Sequence, residues 1–94
     1  MADMIAQLLA TDAARVKLGA RDISTAEAEQ LPRNRHLTMR NPHARGPEGD
    51  RLLLIGRTNG GRILTLVLER TVDPNSWLIV TGWEATERER RILD

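Results

Sequence analysis

The sequence predicts an α+β domain: two N-terminal helices, a three- to four-stranded antiparallel sheet and a short C-terminal helix. Three observations carry that expectation. Two apolar runs of strand length, "RLLLIGR" (51–57) and "RILTLVLER" (62–70), flank a turn that contains Asn59-Gly60. A third run, "WLIVTGW" (77–83), follows the turn "VDPNS", where Pro74 and Asn75 supply turn chemistry. Two capping boxes, Ser24–Glu27 and Thr86–Glu89, mark helix starts on either side of these strands. At 94 residues the chain is expected to form one domain.

The elements follow in order. Met4, Ile5, Leu8, Leu9 and Val16 fall at helical spacing, with Gly19 as a C′ candidate, so a first helix is expected over 3–18. In "STAE" the Ser24 hydroxyl can accept from the Glu27 backbone N–H while the Glu27 carboxylate reaches back. That opens a second, short helix ending near Leu31, because Pro32 disfavours helical geometry in the residue before it. "HLTMR" (36–40) is expected as a short edge strand, and "NPHARGPEGD" (41–50) as a loop. "TERE" opens the last helix, to about Leu93, and the helices are expected over one sheet face.

The hairpin has two readings. A two-residue Asn59-Gly60 loop of type I′ sets Arg57 directly opposite Arg62. A three-residue Asn59-Gly60-Gly61 loop pairs Arg62 with Thr58 and puts the two arginines on opposite faces. Sequence leaves both open. In the last strand Trp77, Ile79, Thr81 and Trp83 share a parity and are expected on one face, either as a partner surface or filling the core.

The chain has no Phe, Tyr or Cys, so Leu, Ile and Val must build the core around two tryptophans. The missing cysteines exclude disulfides, thiolate zinc sites and a cysteine nucleophile. No stretch reaches the ~18–20 apolar residues of a membrane span, and no basic n-region precedes the first apolar patch. A cytoplasmic protein without membrane association is the expectation. The net charge of +1 conceals a segregation: residues 33–62 carry seven arginines against Glu48 and Asp50, and each flank is net acidic. Both histidines, His36 and His43, lie in that basic third. Concentrated positive charge favours phosphate-bearing partners, and the arginine fork suits phosphate. GC-rich coding yields the same arginine bias without function.

The histidines lack ligand spacing, so neither a metal nor another cofactor is expected. Ser24 reads as a cap and Ser76 as a turn residue, so a serine hydrolase is not supported. The chemistry left is phosphate chemistry. Cleaving RNA through its 2′-hydroxyl requires proton transfers, which histidine performs near neutral pH, and stabilisation of phosphorane charge, which arginine performs. Arg57, Arg62 and His36 are the candidate catalytic residues. Arg40, Arg51 and Arg35 are the candidate RNA contacts, and Trp77 and Trp83 the candidate partner contacts. The competing reading is that Arg51, Arg57, Arg62 and Arg70 solubilise strand ends.

"DRLLLIGRTNGGRILTLVLER" with "WLIVTGWEATERERRIL" resembles the BrnT-like toxins of bacterial type II toxin–antitoxin modules. The similar positions are Ile55-Gly56-Arg57, Gly61-Arg62, Glu84-Ala85-Thr86 and Glu89-Arg90, and upstream Gly19, Ser24 and Glu27, so the resemblance spans about 19–93. It implies a RelE/ParE-like fold and a ribonuclease that arrests translation by acting on RNA, with the ribosome a candidate setting. It also implies a cognate antitoxin that carries a DNA-binding domain and brings the complex to its operator. The functional arginines of such toxins carry over to Arg57 and Arg62. The chain departs from the family pattern in three respects: Thr81-Gly82-Trp83 stands where Ser-Ala-Arg is usual, a helix is expected where the family often opens on a short strand, and the net charge of +1 is lower than expected of a free RNA-directed toxin. A non-catalytic protein- or nucleic-acid-binding module of the same fold is the alternative. A small structural subunit recruited through its tryptophans is a third.

Overall fold

A computed structural model describes residues 5–40 and 51–94. It is an α+β fold with five strands and three helices, in the order β1 (Gln7–Ala10), α1 (Asp12–Gly19), α2 (Thr25–Gln30), β2 (His36–Arg40), β3 (Leu52–Arg57), β4 (Ile63–Arg70), β5 (Ser76–Glu84) and α3 (Glu87–Leu93). A 3₁₀ turn at Leu31–Arg33 links α2 to β2 and accommodates Pro32. The strands lie in the order β1-β5-β4-β3-β2, antiparallel except for β1, which runs parallel to β5. The sheet is therefore mixed, and it has one strand more than the expected maximum.

The extra strand comes from the segment expected to begin the first helix. Gln7–Ala10 pairs with Ser76–Ile79, and the helix starts only after Thr11, whose hydroxyl accepts from Ala14 N–H at 3.1 Å. Leu8, Leu9 and the residues before them suit either period, so the parallel partner decides. Thr11-Asp12 was the local signal, a cap followed by an acid inside the supposed helix. In α1 only Ala14 and Leu18 are buried, and Val16 is 72% exposed. Gly19 is the last helical residue, not a left-handed C′; the positive φ falls on Asp22, at 58°.

Both capping boxes form. Glu27 N–H donates to Ser24 Oγ and Ser24 N–H to Glu27 Oε1, each at 3.1 Å, and Thr86 and Glu89 repeat the arrangement. The helices do not share a face. Leu52, Leu54, Leu64, Leu66, Leu68, Trp77 and Ile79 pack with Leu18, Ala28 and Leu31 in the main core under α1 and α2. Ile55 and Ile63 point the other way and pack with Ala85 and Leu93 under α3. Alternation along β3 and β4 thus feeds two cores.

The hairpin takes the three-residue loop. Thr58 N–H donates to Arg62 O at 2.8 Å, and Gly61 N–H to Thr58 O at 3.0 Å. Asn59 and Gly60 keep negative φ while Gly61 takes +89°, so this is a turn closed by a left-handed glycine and not type I′. In β5 the pairing steps from Val67–Thr81 to Leu68–Ile79, leaving Val80 as an extra residue. That bulge reverses the parity beyond it. Trp77 and Ile79 face α1 and α2, whereas Trp83 faces α3, which corrects the expectation of a shared face. No helix of the described residues is long and apolar enough to cross a membrane.

Candidate functional site

The loop geometry separates the two arginines expected to act together. Arg57 pairs with Ile63 and shares its face, beside α3. Arg62 has the opposite parity and lies beside α2. Its Nη1 donates to Asp22 O at 2.8 Å and to both Glu27 oxygens at 3.1 Å, and its Nη2 reaches Glu84 Oε2 at 3.5 Å. Arg57 Nη2 donates to Asp94 Oδ1 at 2.7 Å. Each guanidinium is already neutralised, on its own side of the sheet.

These contacts set the local electrostatics. The Ser24 backbone N–H, helped against some desolvation by the Arg62 guanidinium, holds Glu27 below its ordinary carboxylate range. Glu27, with Glu84 as a lesser partner, in turn raises Arg62. Glu27 therefore caps α2 and ties it to the hairpin with the same carboxylate. Its role as a cap was readable from sequence; its role as the partner of Arg62, across 35 residues, was not.

The other candidates also divide between the faces. Arg35 sits opposite Arg57, whose N–H donates to Arg35 O at 3.2 Å, and its Nη2 donates to Leu93 O at 3.0 Å. Arg35 and Arg57 together meet the carbonyl end of α3, where positive charge is favoured. Arg51 approaches Glu69 Oε2 at 3.8 Å, also on the α3 side. His36 and Arg40 pair with Gly56 and Leu52 and share the α1/α2 side with Arg62. The face of α3 thus receives Arg35, Arg51 and Arg57, and the face of α1 and α2 receives His36, Arg40 and Arg62.

His36 packs where Gly56 makes room: a Cβ on Gly56 would stand 2.9 Å from His36 Cβ and 3.0 Å from Leu31 Cγ. Its imidazole is exposed, and Nδ1 lies 2.8 Å from Asn34 O. A carbonyl only accepts, so Nδ1 carries the proton in the neutral ring and Nε2 is the basic nitrogen. Arg40 lies four residues further along the same face, about 13 Å of strand. It would hold a neighbouring phosphate, not the one His36 could reach. His43 and Arg45, also in the basic third, lie outside the described residues.

The tryptophans have unequal roles. Trp77 is 1% exposed, with the Arg70 guanidinium 4.9 Å from its ring centroid, and offers a partner little surface. Trp83 is half-buried, and its Nε1 donates to Glu89 Oε1 at 3.0 Å. Thr65 Oγ1 and Thr86 N–H donate to the same oxygen, at 2.9 and 2.8 Å. Burial opposes the Glu89 charge, but the Thr86 N–H, Trp83 and Thr65 outweigh it and hold the carboxyl below its ordinary range. The Trp83 indole thus docks the last helix through Glu89.

Among the described residues no three His, Asp or Glu side chains gather as metal ligands. A cavity of about 250 Å³ between β1 and the 3₁₀ turn is lined by Ile5, Gln7, Leu8, Glu29, Pro32 and Arg33, none of them a candidate site residue from sequence. What the arrangement offers is a cationic strand edge at β2 with one exposed histidine. No family model, curated protein or solved structure matches the chain.

Proposed function

We propose that the chain is the toxin component of a type II toxin–antitoxin module of the BrnT-like kind, directed at RNA and kept silent by a cognate antitoxin. The observation that carries the RNA-directed reading is the pair of exposed basic side chains His36 and Arg40 on the edge strand β2, with Arg35 immediately before it and no carboxylate within residues 35–40. The opening strand β1 adds support to the resemblance, since it stands where the family often has a strand and removes one of the three departures from that pattern. In such a reaction His36 would exchange the proton at Nε2, and Arg40 would hold an adjacent phosphate.

A second reading, a non-catalytic binding module with a RelE-like fold, is favoured by one specific observation. Arg57 and Arg62 lie on opposite faces, and both are occupied by carboxylates. Induced expression with and without the adjacent open reading frame separates the two readings. Under the toxin reading growth stops, the neighbour restores it, and purified protein cuts RNA in a manner lost with His36→Ala. Arrest without cutting, unchanged by His36→Ala, selects the binding module. Absence of arrest removes the toxin reading.

A further inference from the structure

β2 forms one edge of the sheet, and its phase in the ladder decides what that edge presents. Because Arg57 N–H donates to Arg35 O, the residues Arg35, Leu37 and Met39 turn their backbone groups towards β3. His36, Thr38 and Arg40 therefore direct their N–H and C=O groups outward. Their side chains share the α1/α2 side, with His36 and Arg40 exposed, while Leu37 and Met39 sit half-buried on the other side beside Ile55 and Ile63. Arg33 and Arg40 form no ion pair among the described residues. In this they differ from Arg51, Arg57 and Arg62, each of which has a carboxylate partner.

We infer that β2 accepts an extended acidic segment of a protein partner as a sixth strand. The register dictates the segment's pattern. Positions opposite Arg40 and His36 carry Asp or Glu, and the position opposite Thr38 a small polar residue. Positions opposite Met39 and Leu37 are apolar and extend the row under α3. A second copy of this chain fits poorly, because antiparallel pairing through Thr38 sets Arg40 against His36 twice, with Arg35 close behind. A nucleic acid would use the cations but leave the outward amides of His36, Thr38 and Arg40 unpaired. The inference rests on the backbone and charge of β2 and holds under either reading of function.

The test uses fluorescein-labelled peptides with the cores Glu-Val-Thr-Val-Glu, Lys-Val-Thr-Val-Lys and Glu-Val-Pro-Val-Glu, added to the intact chain. The acidic core is expected to bind about tenfold more tightly than either control, the proline removing the donor that faces Thr38. Amide exchange should slow at His36, Thr38 and Arg40 and stay unchanged along β1. A folded Arg40→Glu variant should shift the preference towards the lysine core; if that variant does not fold, the proline comparison on the wild-type chain decides alone. The inference is overturned by equal binding of the proline core, by protection elsewhere, or by no binding up to about 1 mM peptide. It is likewise overturned if oligouridylate binds this edge and the acidic core does not. Growth arrest without peptide binding would remove this inference and leave the toxin reading; peptide binding without arrest would do the reverse.

Discussion

The hairpin arginines and the β2 cations come from the same basic third of the sequence, yet the fold treats them in opposite ways. Arg57 and Arg62 meet Asp94, Glu27 and Glu84, all contributed by the two acidic flanks of the chain. Arg33 and Arg40 meet no carboxylate among the described residues. Among the described residues, the arginines of the basic third thus meet carboxylates or a helix-end carbonyl where α2, β5 and α3 pack against the hairpin, whereas Arg33 and Arg40 form no ion pair. A count of arginines measures the sum of these two populations. The two differ in how much charge is left to meet a partner.

The comparison can be broken most forcefully at Gly56, where the two regions touch. Gly56→Ala puts a methyl group 2.9 Å from His36 Cβ and within 3.2 Å of two Leu31 carbons, none of them the free end of a flexible chain. Overpacking of this kind should cost about 1–3 kcal/mol, read as a fall in the denaturant midpoint at unchanged slope. If stability stays at the wild-type level, Gly56 does not bring β2 and the 3₁₀ turn together in the way described. The glycine of "IGR", part of the family resemblance, would then need a functional explanation instead of a packing one.

Arg62→Ala is next in size. It removes the donor to Asp22 O, Glu27 and Glu84 from a partly buried site and should cost about 1–2 kcal/mol. Its pH dependence carries the sharper test. Glu27 is depressed below its ordinary value of 4.5 in the folded chain, so its contribution is present above that pH and is lost as pH falls through the folded value. With Arg62 gone, part of the depression goes too. The stability gap between wild type and Arg62→Ala should therefore narrow in acid below about pH 4.5. A gap constant from pH 7 to pH 3 would show that Arg62 acts through packing of its stem and not through Glu27.

Local devices were legible in the sequence, and long-range choices were not. The boxes at Ser24–Glu27 and Thr86–Glu89 require only residues three apart, and the strand at His36–Arg40 needs only its β propensity and a polar surround. β1 depends on a partner 69 residues away, as the Gln7–Ser76 pair shows, and nothing near Gln7 announces it except the cap at Thr11. The hairpin register turned on whether Gly60 or Gly61 takes the left-handed conformation, which adjacent glycines leave undecided. The extra residue at Val80 has no signature at all, since any residue can bulge, and it alone moved Trp83 to the other face. The joint action expected of Arg57 and Arg62 was lost for the same reason. The carboxylates that occupy Arg57 and Arg62 lie 37 and 35 residues from them in sequence.

The smallest effects lie at the exposed charges, and there the two populations should differ in sign. Arg57→Ala removes a partly exposed pair and should cost about 0.5 kcal/mol, an effect that salt screens. Arg33→Ala combined with Arg40→Ala removes two cations that have no described ion-pair partner, from a segment that also holds Arg35 and His36. Stability should stay within about 0.5 kcal/mol of wild type, and at low salt any change should be a gain, because like-charge repulsion with the neighbouring Arg35 and His36 is relieved. Added salt should weaken wild type relative to Arg57→Ala no further than the lost pair allows, and should favour wild type over the double variant. If the double variant is instead destabilised at low salt, Arg33 and Arg40 are paired in solution, and the edge is not free to receive a partner.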